Sequence, residues 1–401
     1  MQIRKVEVEN YRSLKKVTMN SLNKINMLYG YNNTGKSNFL RFIELVFRRK
    51  VRPGSIKYAE GSFQREERTE DITGWWEGEF RDTAYMFTDD NRDLKITFVI
   101  DMEVAHDELG DSKETLPKNF LSKTQATANI RLMGTIQSVT YDESKISLTE
   151  VTINRKLAFD LSAKDEPKRY FPKTDIEGQA DTLNSLLTIF NDCVLFLGSG
   201  RYLTEEEEEV SKVPGELHAQ NAKNWLFEHY MNSQTYTKFR EFIAFIQAYQ
   251  SKHKKEDEAA KSAWRQWPFS AGDVGFGRFG KSIDVMLRNA KSRFPLSSYG
   301  TGVQQILYLL AKLFFTTARI VLIEEIELNL SPAAQRDLFI NLQRLQADKH
   351  LGQVLFTTHS NYFNYRGDFR IFEAVLDEDG YTSIKPVRAA RKDFFSRTLI
   401  D

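Results

Sequence analysis

The sequence predicts an α/β fold: a sheet with flanking helices, an attached antiparallel β lobe, and a helical insertion that interrupts the whole. Three observations predict it. Residues 25–49 pass from a short apolar strand through a glycine turn into a helical pattern. Residues 94–161 alternate apolar and polar side chains with period two, the signature of half-buried antiparallel strands. From Ser282 onward strands and helices alternate again, so two α/β segments bracket the β region.

The elements follow in order. Ile3, Val6 and Val8 mark a first strand, and Ile25-Asn26-Met27-Leu28-Tyr29 a second that stops at Gly30. A helical pattern covers Asn38–Arg49, and a basic stretch broken by Pro and Gly leads into a polar loop reaching about Asp90. Strands are expected at 94–100 and through ANIRLMG, with a hairpin in SVTYDESKISLTEVTIN turning at Asp142-Glu143-Ser144. Val194–Leu197 is a buried-strand candidate running into Gly198-Ser199-Gly200-Arg201. Residues 205–267 begin with five glutamates, Glu205 to Glu209, and continue with long helical patterns, read as a helical insertion. Then come a strand at 283–287, a helix at 303–316, a strand at 319–323, a helix at 332–347, and strands at 353–357, 370–376 and 381–387. The expected division is 1–200 and 281–401 for the two parts of one domain, with 201–280 inserted.

Composition bounds the function classes. A chain of 401 residues is one large interrupted domain or two domains. Apolar residues make up 41% and charged residues 28%, enough for a sizeable core and against wholesale disorder. Fifty-six Lys and Arg against 55 Asp and Glu leave a net charge of +1, which gives no support for a surface that is basic all over. A single cysteine, Cys193, excludes a disulfide scaffold and a Cys-based zinc site and suits a reducing cytoplasm. No apolar run approaches the roughly 18 residues of a spanning helix, and MQIRKVEVENYRS has no signal-peptide core. The expectation is a cytoplasmic protein with no membrane partner.

Gly30-Tyr31-Asn32-Asn33-Thr34-Gly35-Lys36-Ser37 matches GxxxxGK[ST] between a strand and a helix. The glycines let backbone N–H groups, with Asn32, Asn33, Thr34 and Asn38 alongside, wrap phosphates at a helix N-terminus. Lys36 would reach the β and γ oxygens, and the Ser37 hydroxyl would bind Mg²⁺. In ARIVLIEEIELNLSP an apolar strand ends in two carboxylates. The first, Glu324, would hold Mg²⁺ through water, and the second, Glu325, would orient and deprotonate an attacking water. Tyr299-Gly300-Thr301-Gly302-Val303-Gln304 opens an apolar helix about two dozen residues before the acids, and its free N–H groups could bind an anion or serve as an ordinary cap. Thr357-Thr358-His359-Ser360 ends another apolar strand, 34 residues after Glu325, at the carboxyl edge where doubly wound sheets bind ligands.

The order of phosphate loop, glycine-hydroxyl helix start, acid pair and histidine resembles the ABC-type ATPase heads of the SMC, RecF and OLD (overcoming-lysogenization-defect) group. Asn10-Tyr11-Arg12-Ser13 looks like their opening NFRS element, and Thr301-Gly302-Val303-Gln304 occupies the place of the SGGQ signature. Residues 323–332, IEEIELNLSP, are similar to the OLD-type IEEPELHLHP, with Ile326 for proline and Asn329 and Ser331 for histidines. The resemblance covers residues 1–50 and 283–363. It implies ATP and Mg²⁺ sandwiched between two heads, as a homodimer or higher homo-oligomer. Arg12 would lie near the nucleotide, Thr301 and Gly302 would reach the γ-phosphate of the other head, His359 would sense it, and Asn329 would sit in the dimer-facing loop. No motif marks the glutamine loop of such heads, for which Gln64 is the candidate.

Only 42 residues follow His359, too few for the Toprim nuclease of OLD proteins. A stand-alone head of this kind resembles the ATPase subunits of two-gene anti-phage systems such as PARIS, Septu and the retron-linked ATPases. That implies an ATPase acting as sensor and assembly scaffold for a separate effector, a nuclease, while the departures at Ile326, Asn329, Ser331 and the signature imply slow turnover. The alternative is a RecF-like clamp on duplex DNA. There, Arg48, Arg49, Lys50, Arg52 and Lys57 would contact phosphates, or else merely complete a helix C-terminus. The Glu205–Glu209 run is a solvated helix start or a site for a basic effector.

Overall fold

A computed structural model describes residues 1–48, 56–59, 62–65, 95–109, 126–138, 144–160, 189–190, 193–198, 222–253, 274–279, 282–289, 292–348, 351–360 and 369–387. Two six-stranded sheets dominate, and one helix is packed between them. The antiparallel lobe runs in the order β2 (Leu14–Asn20), β1 (Gln2–Tyr11), β6 (Lys95–Ala105), β7 (Thr127–Ser138), β8 (Ser144–Ile153), β9 (Lys156–Asp160). The second sheet runs β10 (Val194–Leu197), β14 (Ile320–Ile323), β15 (Gln353–Thr358), β3 (Ile25–Tyr29), β16 (Phe369–Leu376), β17 (Thr382–Val387). Its first five strands are parallel, and β17 returns antiparallel.

Helix α1 (Lys36–Arg48) lies against both sheets, which explains its composition. Phe39, Leu40, Phe42, Ile43, Leu45, Val46 and Phe47 are each no more than 1% exposed. A helix apolar over nearly its whole circumference must be covered on more than one side. Phe42 meets Tyr11 and Phe98 of the β lobe at ring distances of 5.5 and 6.0 Å.

The parallel sheet divides two cores by the two-residue period of its strands. Leu28, Ile320, Leu322, Leu355 and Phe372 face the core shared with α1 and the β lobe. Met27, Val321, Ile323, Val354 and Phe356 face the other, against α4 (Thr301–Phe315) and α5 (Pro332–Ala347). That second core also takes in Phe239, Phe242 and Phe245 of α3 (Tyr236–His253), which follows α2 (Ala222–Met231) in the inserted region. Phe242 touches Phe314 and Phe315 at ring distances of 5.4 and 5.3 Å, so α3 packs on the C-terminal end of α4.

The α/β class, the antiparallel lobe and the inserted helices are as expected, with local corrections. The first 30 residues hold three strands, not two. In β2 the buried residues Leu14, Val17 and Met19 mix spacings of three and two, so period-two alternation is masked. The stretch read as polar loop contains a hairpin, β4 (Ile56–Ala59) with β5 (Ser62–Arg65), whose four-residue strands are too short to show a period. An unexpected β11 (Val274–Phe279), broken by two glycines, pairs with β12 (Ser282–Asn289), which pairs in turn with β13 (Ser292–Pro295). Helices α1 and α4 each begin two residues earlier than their apolar patterns suggest. The side chains of Arg48, Lys57 and Gln64, and all of Arg49, Lys50, Arg52 and Glu205–Glu209, lie outside the described residues. Among the described residues no helix is long and apolar enough to cross a membrane.

Candidate functional site

The strand order sets the site. β15 lies between β3, which feeds the phosphate loop, and β14, which ends in the acids. Parallel strands deliver all three ends to one edge of the sheet.

The loop after β3 can be built only with its glycines. A Cβ on Gly30 would stand 2.4 Å from Ala374 O of β16, and one on Gly35 would fall 2.0 Å from Thr382 Oγ1 and 2.5 Å from Ser13 Oγ. Gly35 is also left-handed, at φ 82°, and Asn33 precedes it at φ 63°. Thr34 Oγ1 donates to Tyr31 O at 2.9 Å, closing the turn. Asn32 and Asn33 are exposed and Ser37 is half-buried at the start of α1.

Lys36 is 5% exposed and folds back on its own loop. Its Nζ donates to Gly30 O at 2.8 Å and to Tyr31 O at 2.6 Å, and lies 3.3 Å from His359 Nδ1. Burial lowers its pKa to about 8, against the opposing pull of Glu327 and then Glu325. Arg12, left-handed at φ 51°, donates through Nη1 to Asn38 Oδ1 at 3.2 Å. Asn38 Nδ2 donates to Ser13 Oγ at 3.0 Å, and Ser13 Oγ lies 2.7 Å from Thr382 Oγ1. This network ties the turn between β1 and β2, and β17 through Thr382, to the helix that starts at Lys36.

The acid pair splits in environment. Glu324 is 2% exposed, its N–H bonds Leu197 O at 2.9 Å, and its Oε1 accepts from Arg41 Nε at 3.1 Å. Arg41 is four residues after Ser37, hence on the same face of α1. Glu325 has a left-handed backbone at φ 42°, held by its N–H on Thr357 Oγ1 at 2.8 Å. Its side chain is 37% exposed, and its Oε1 lies 3.6 Å from His359 Nε2. His359 Nδ1 is 2.8 Å from Gly30 O, and its backbone N–H donates to Glu327 Oε1 at 2.5 Å.

Gly30, Lys36, Glu325 and His359 therefore form one cluster, with Thr34 and Gly35 in its wall and Arg12 and Asn38 at the base of α1. Thr301, Gly302 and Asn329 form another. A Cβ on Gly302 would lie 2.7 Å from Asn329 O, and Asn329 is exposed with φ 58°. The helix start carrying Thr301 is thus fitted to the turn after the acids in the same chain. Three participants had no sequence-derived role: Arg41, Thr357 and Glu327. Glu327 was visible as a third acid in the IEEIELNLSP turn, and Thr357 as the residue opening TTHS.

A family model described as an AAA ATPase domain (AAA_15) matches residues 1–363. The chain belongs to this AAA ATPase domain family. No curated protein matches the chain. Among solved structures, this ATPase domain is similar to an Smc head bound to the C-winged helix domain of ScpA, at 13% identity and TM-score 0.49, covering 96% of this chain and 98% of that one. It is also similar to the SMC head domain from Thermotoga maritima, at 13% identity and TM-score 0.41, covering 97% and 100%. A third is the Pyrococcus furiosus Smc head domain with an extended coiled coil, bound to the C-terminal domain of ScpA. It matches at 11% identity and TM-score 0.46, covering 100% of both chains.

Proposed function

We propose that this ATPase domain binds ATP with Mg²⁺ at the Gly30–Asn38 loop, hydrolyses it, and does so between two copies of the chain. The observation that carries the reading is the meeting of Lys36 and His359 at Gly30 O, with Glu325 3.6 Å from the far ring nitrogen of His359, on one edge of the parallel sheet. The cradle fits a polyphosphate: glycine permits the close passage at positions 30 and 35, and a helix that starts at Lys36 turns its first N–H groups toward an anion. Its donor set also fits a hard cation. Glu324, buried and bonded to Arg41 of the helix that Ser37 opens, offers a carboxylate and Ser37 a hydroxyl, and Mg²⁺ takes oxygen ligands while keeping several waters. When bound, Mg²⁺ would offset charge on the β and γ oxygens.

The chain's own residues supply the remaining parts. Lys36 leaves the loop carbonyls for the phosphate oxygens, exchanging neutral acceptors for charged ones. Glu325 accepts the proton of the water that attacks phosphorus, and the partly exposed carboxylate leaves room for that water. His359, released from Lys36, contacts the γ-phosphate. Thr301, Gly302 and Asn329 complete the site of the opposing head. The proposed head comprises residues 1–200 and 281–401 around an insertion at 201–280, which agrees with one sheet drawing β3 and β10 from the first part and β14–β17 from the last.

As a finer reading, this is an OLD-like head that acts in the cytoplasm as sensor and scaffold for a separate effector, a nuclease, in anti-phage defence. The IEEIELNLSP turn supports it. The alternative, a RecF-like clamp on duplex DNA, is supported by the basic cluster from Arg48 to Lys57. ATP-dependent, salt-sensitive duplex binding by the isolated protein would select the clamp, and its absence at low salt would remove it.

Lys36→Ala should abolish ATP binding in a calorimetric titration. Glu325→Gln should lower kcat by about 10²- to 10⁴-fold while ATP binding persists and the dimer accumulates in mass measurements. Wild-type turnover by Glu325→Gln would overturn the general-base assignment.

A further inference from the structure

Three carboxylates follow β14, and the reading above uses two. The third, Glu327, neither lies next to the acid pair in sequence nor needs to meet a nucleotide. Its Oε1 accepts the main-chain N–H of His359 at 2.5 Å, while its Oε2 is buried with no hydrogen-bond partner among the described residues. A carboxylate that gives up water for one short bond is tightly committed to that bond.

The Glu327 backbone is fixed as firmly as its side chain. Leu330 N–H bonds Glu327 O at 2.8 Å, Leu328 N–H bonds Glu325 O at 2.9 Å, and Ile326 N–H bonds Thr357 O at 3.1 Å. The turn after the acids is therefore a rigid block keyed to the end of β15. From there His359 extends its ring to Gly30 O at 2.8 Å. A continuous path runs from the acid turn through one carboxylate to the histidine main chain, and on to the phosphate loop.

We propose that Glu327 is a positioning residue that holds His359 against the phosphate loop through the histidine's main-chain amide. It thereby sets the rate of hydrolysis without touching nucleotide. This inference rests on the ATPase reading. The physical basis is that an ångström of displacement in a reacting group costs orders of magnitude in rate, whereas ground-state binding through Lys36 and the loop is spared.

The test uses two variants of the full chain. Glu327→Gln keeps an oxygen acceptor and loses the charge, and Glu327→Ala loses both. Glu327→Ala should lower kcat by about 10- to 100-fold with KM for ATP changed by less than about threefold, and Glu327→Gln should recover most of the loss. A readout independent of turnover is the His359 amide proton in protein labelled with ¹⁵N-histidine, assigned with His359→Gln. It should resonate at low field in wild type and Glu327→Gln and move upfield in Glu327→Ala. Wild-type kcat in Glu327→Ala, or a kcat in Glu327→Gln as low as in Glu327→Ala, would overturn the positioning role. An unshifted amide in Glu327→Ala would do the same. If the wild-type protein hydrolyses no ATP, the ATPase reading falls, and the amide shift alone still decides whether Glu327 positions His359.

Discussion

The two edges of the parallel sheet are built by opposite rules. At the carboxyl edge the backbone is bent out of its ordinary range: Asn33, Gly35, Glu325 and Asn329 all have positive φ, and a lysine is buried against carbonyl oxygens. At the amino edge amide side chains satisfy the backbone. Gln353, 0% exposed, accepts from Ile3 N–H and donates to Ile3 O and Asn23 O, each at 2.8 Å. Asn26 donates to Val354 O at 3.3 Å. Gly352 allows contact with Arg319, since a Cβ there would fall 2.2 Å from its carbonyl oxygen. Strain and a buried charge gather where a ligand would offset them, and the opposite edge supplies the stability that tolerates them. A pair of substitutions can separate the two, because one edge should report on turnover and the other on melting.

Beyond the loss of turnover expected from Glu325→Gln, the largest effect should come from the element both edges depend on. Phe42→Ala removes the ring between Tyr11 and Phe98 and should cost about 3–5 kcal/mol in chemical denaturation, with both sheets unfolding together. Separate transitions would show that α1 does not couple them. At the amino edge, Gln353→Ala leaves the two buried backbone groups of Ile3 and the half-buried Asn23 O without that partner and should cost about 1–3 kcal/mol, with kcat near wild type well below the melting temperature. A large drop in kcat would show that the edges are not independent.

The smallest effect is a pH dependence at the carboxyl edge. Folded Lys36 gives up its proton at about 8 instead of 10.5, so between those values the unfolded chain holds more protons. Stability contributed by this group therefore rises with pH across that window, and the burial penalty is complete below it. Lys36→Ala should gain melting temperature relative to wild type near neutral pH, and the gap should narrow as pH rises from about 8 towards 10.5. A constant gap would show that lysine burial is not its source.

Much of this was legible from residue order. The glycine spacing of the phosphate loop, the apolar strand ending in Glu324 and Glu325, and TTHS after another strand each follow from local pattern. The resulting α/β class agrees with the structure. What escaped was short or mixed in period: β2, whose burial skips from three to two, the four-residue β4 and β5, and β11 with its glycines. Arg41 and Thr357 escaped for another reason. Their partners, Glu324 and Glu325, lie 283 and 32 residues away, and no local pattern encodes such a pairing.

The sequence by itself determined the inventory: a glycine cradle with its lysine, two acids at a strand end, a histidine at another, and a helix apolar enough to need cover on two sides. Backbone geometry and periodicity are local properties, so they can be read along the chain. The tertiary structure decided adjacency. It placed β15 between β3 and β14, brought His359 against Gly30, and closed the chain on itself where Gln353 holds Ile3. Those choices rest on burial and hydrogen bonding between segments some 330 to 350 residues apart, which only packing can select.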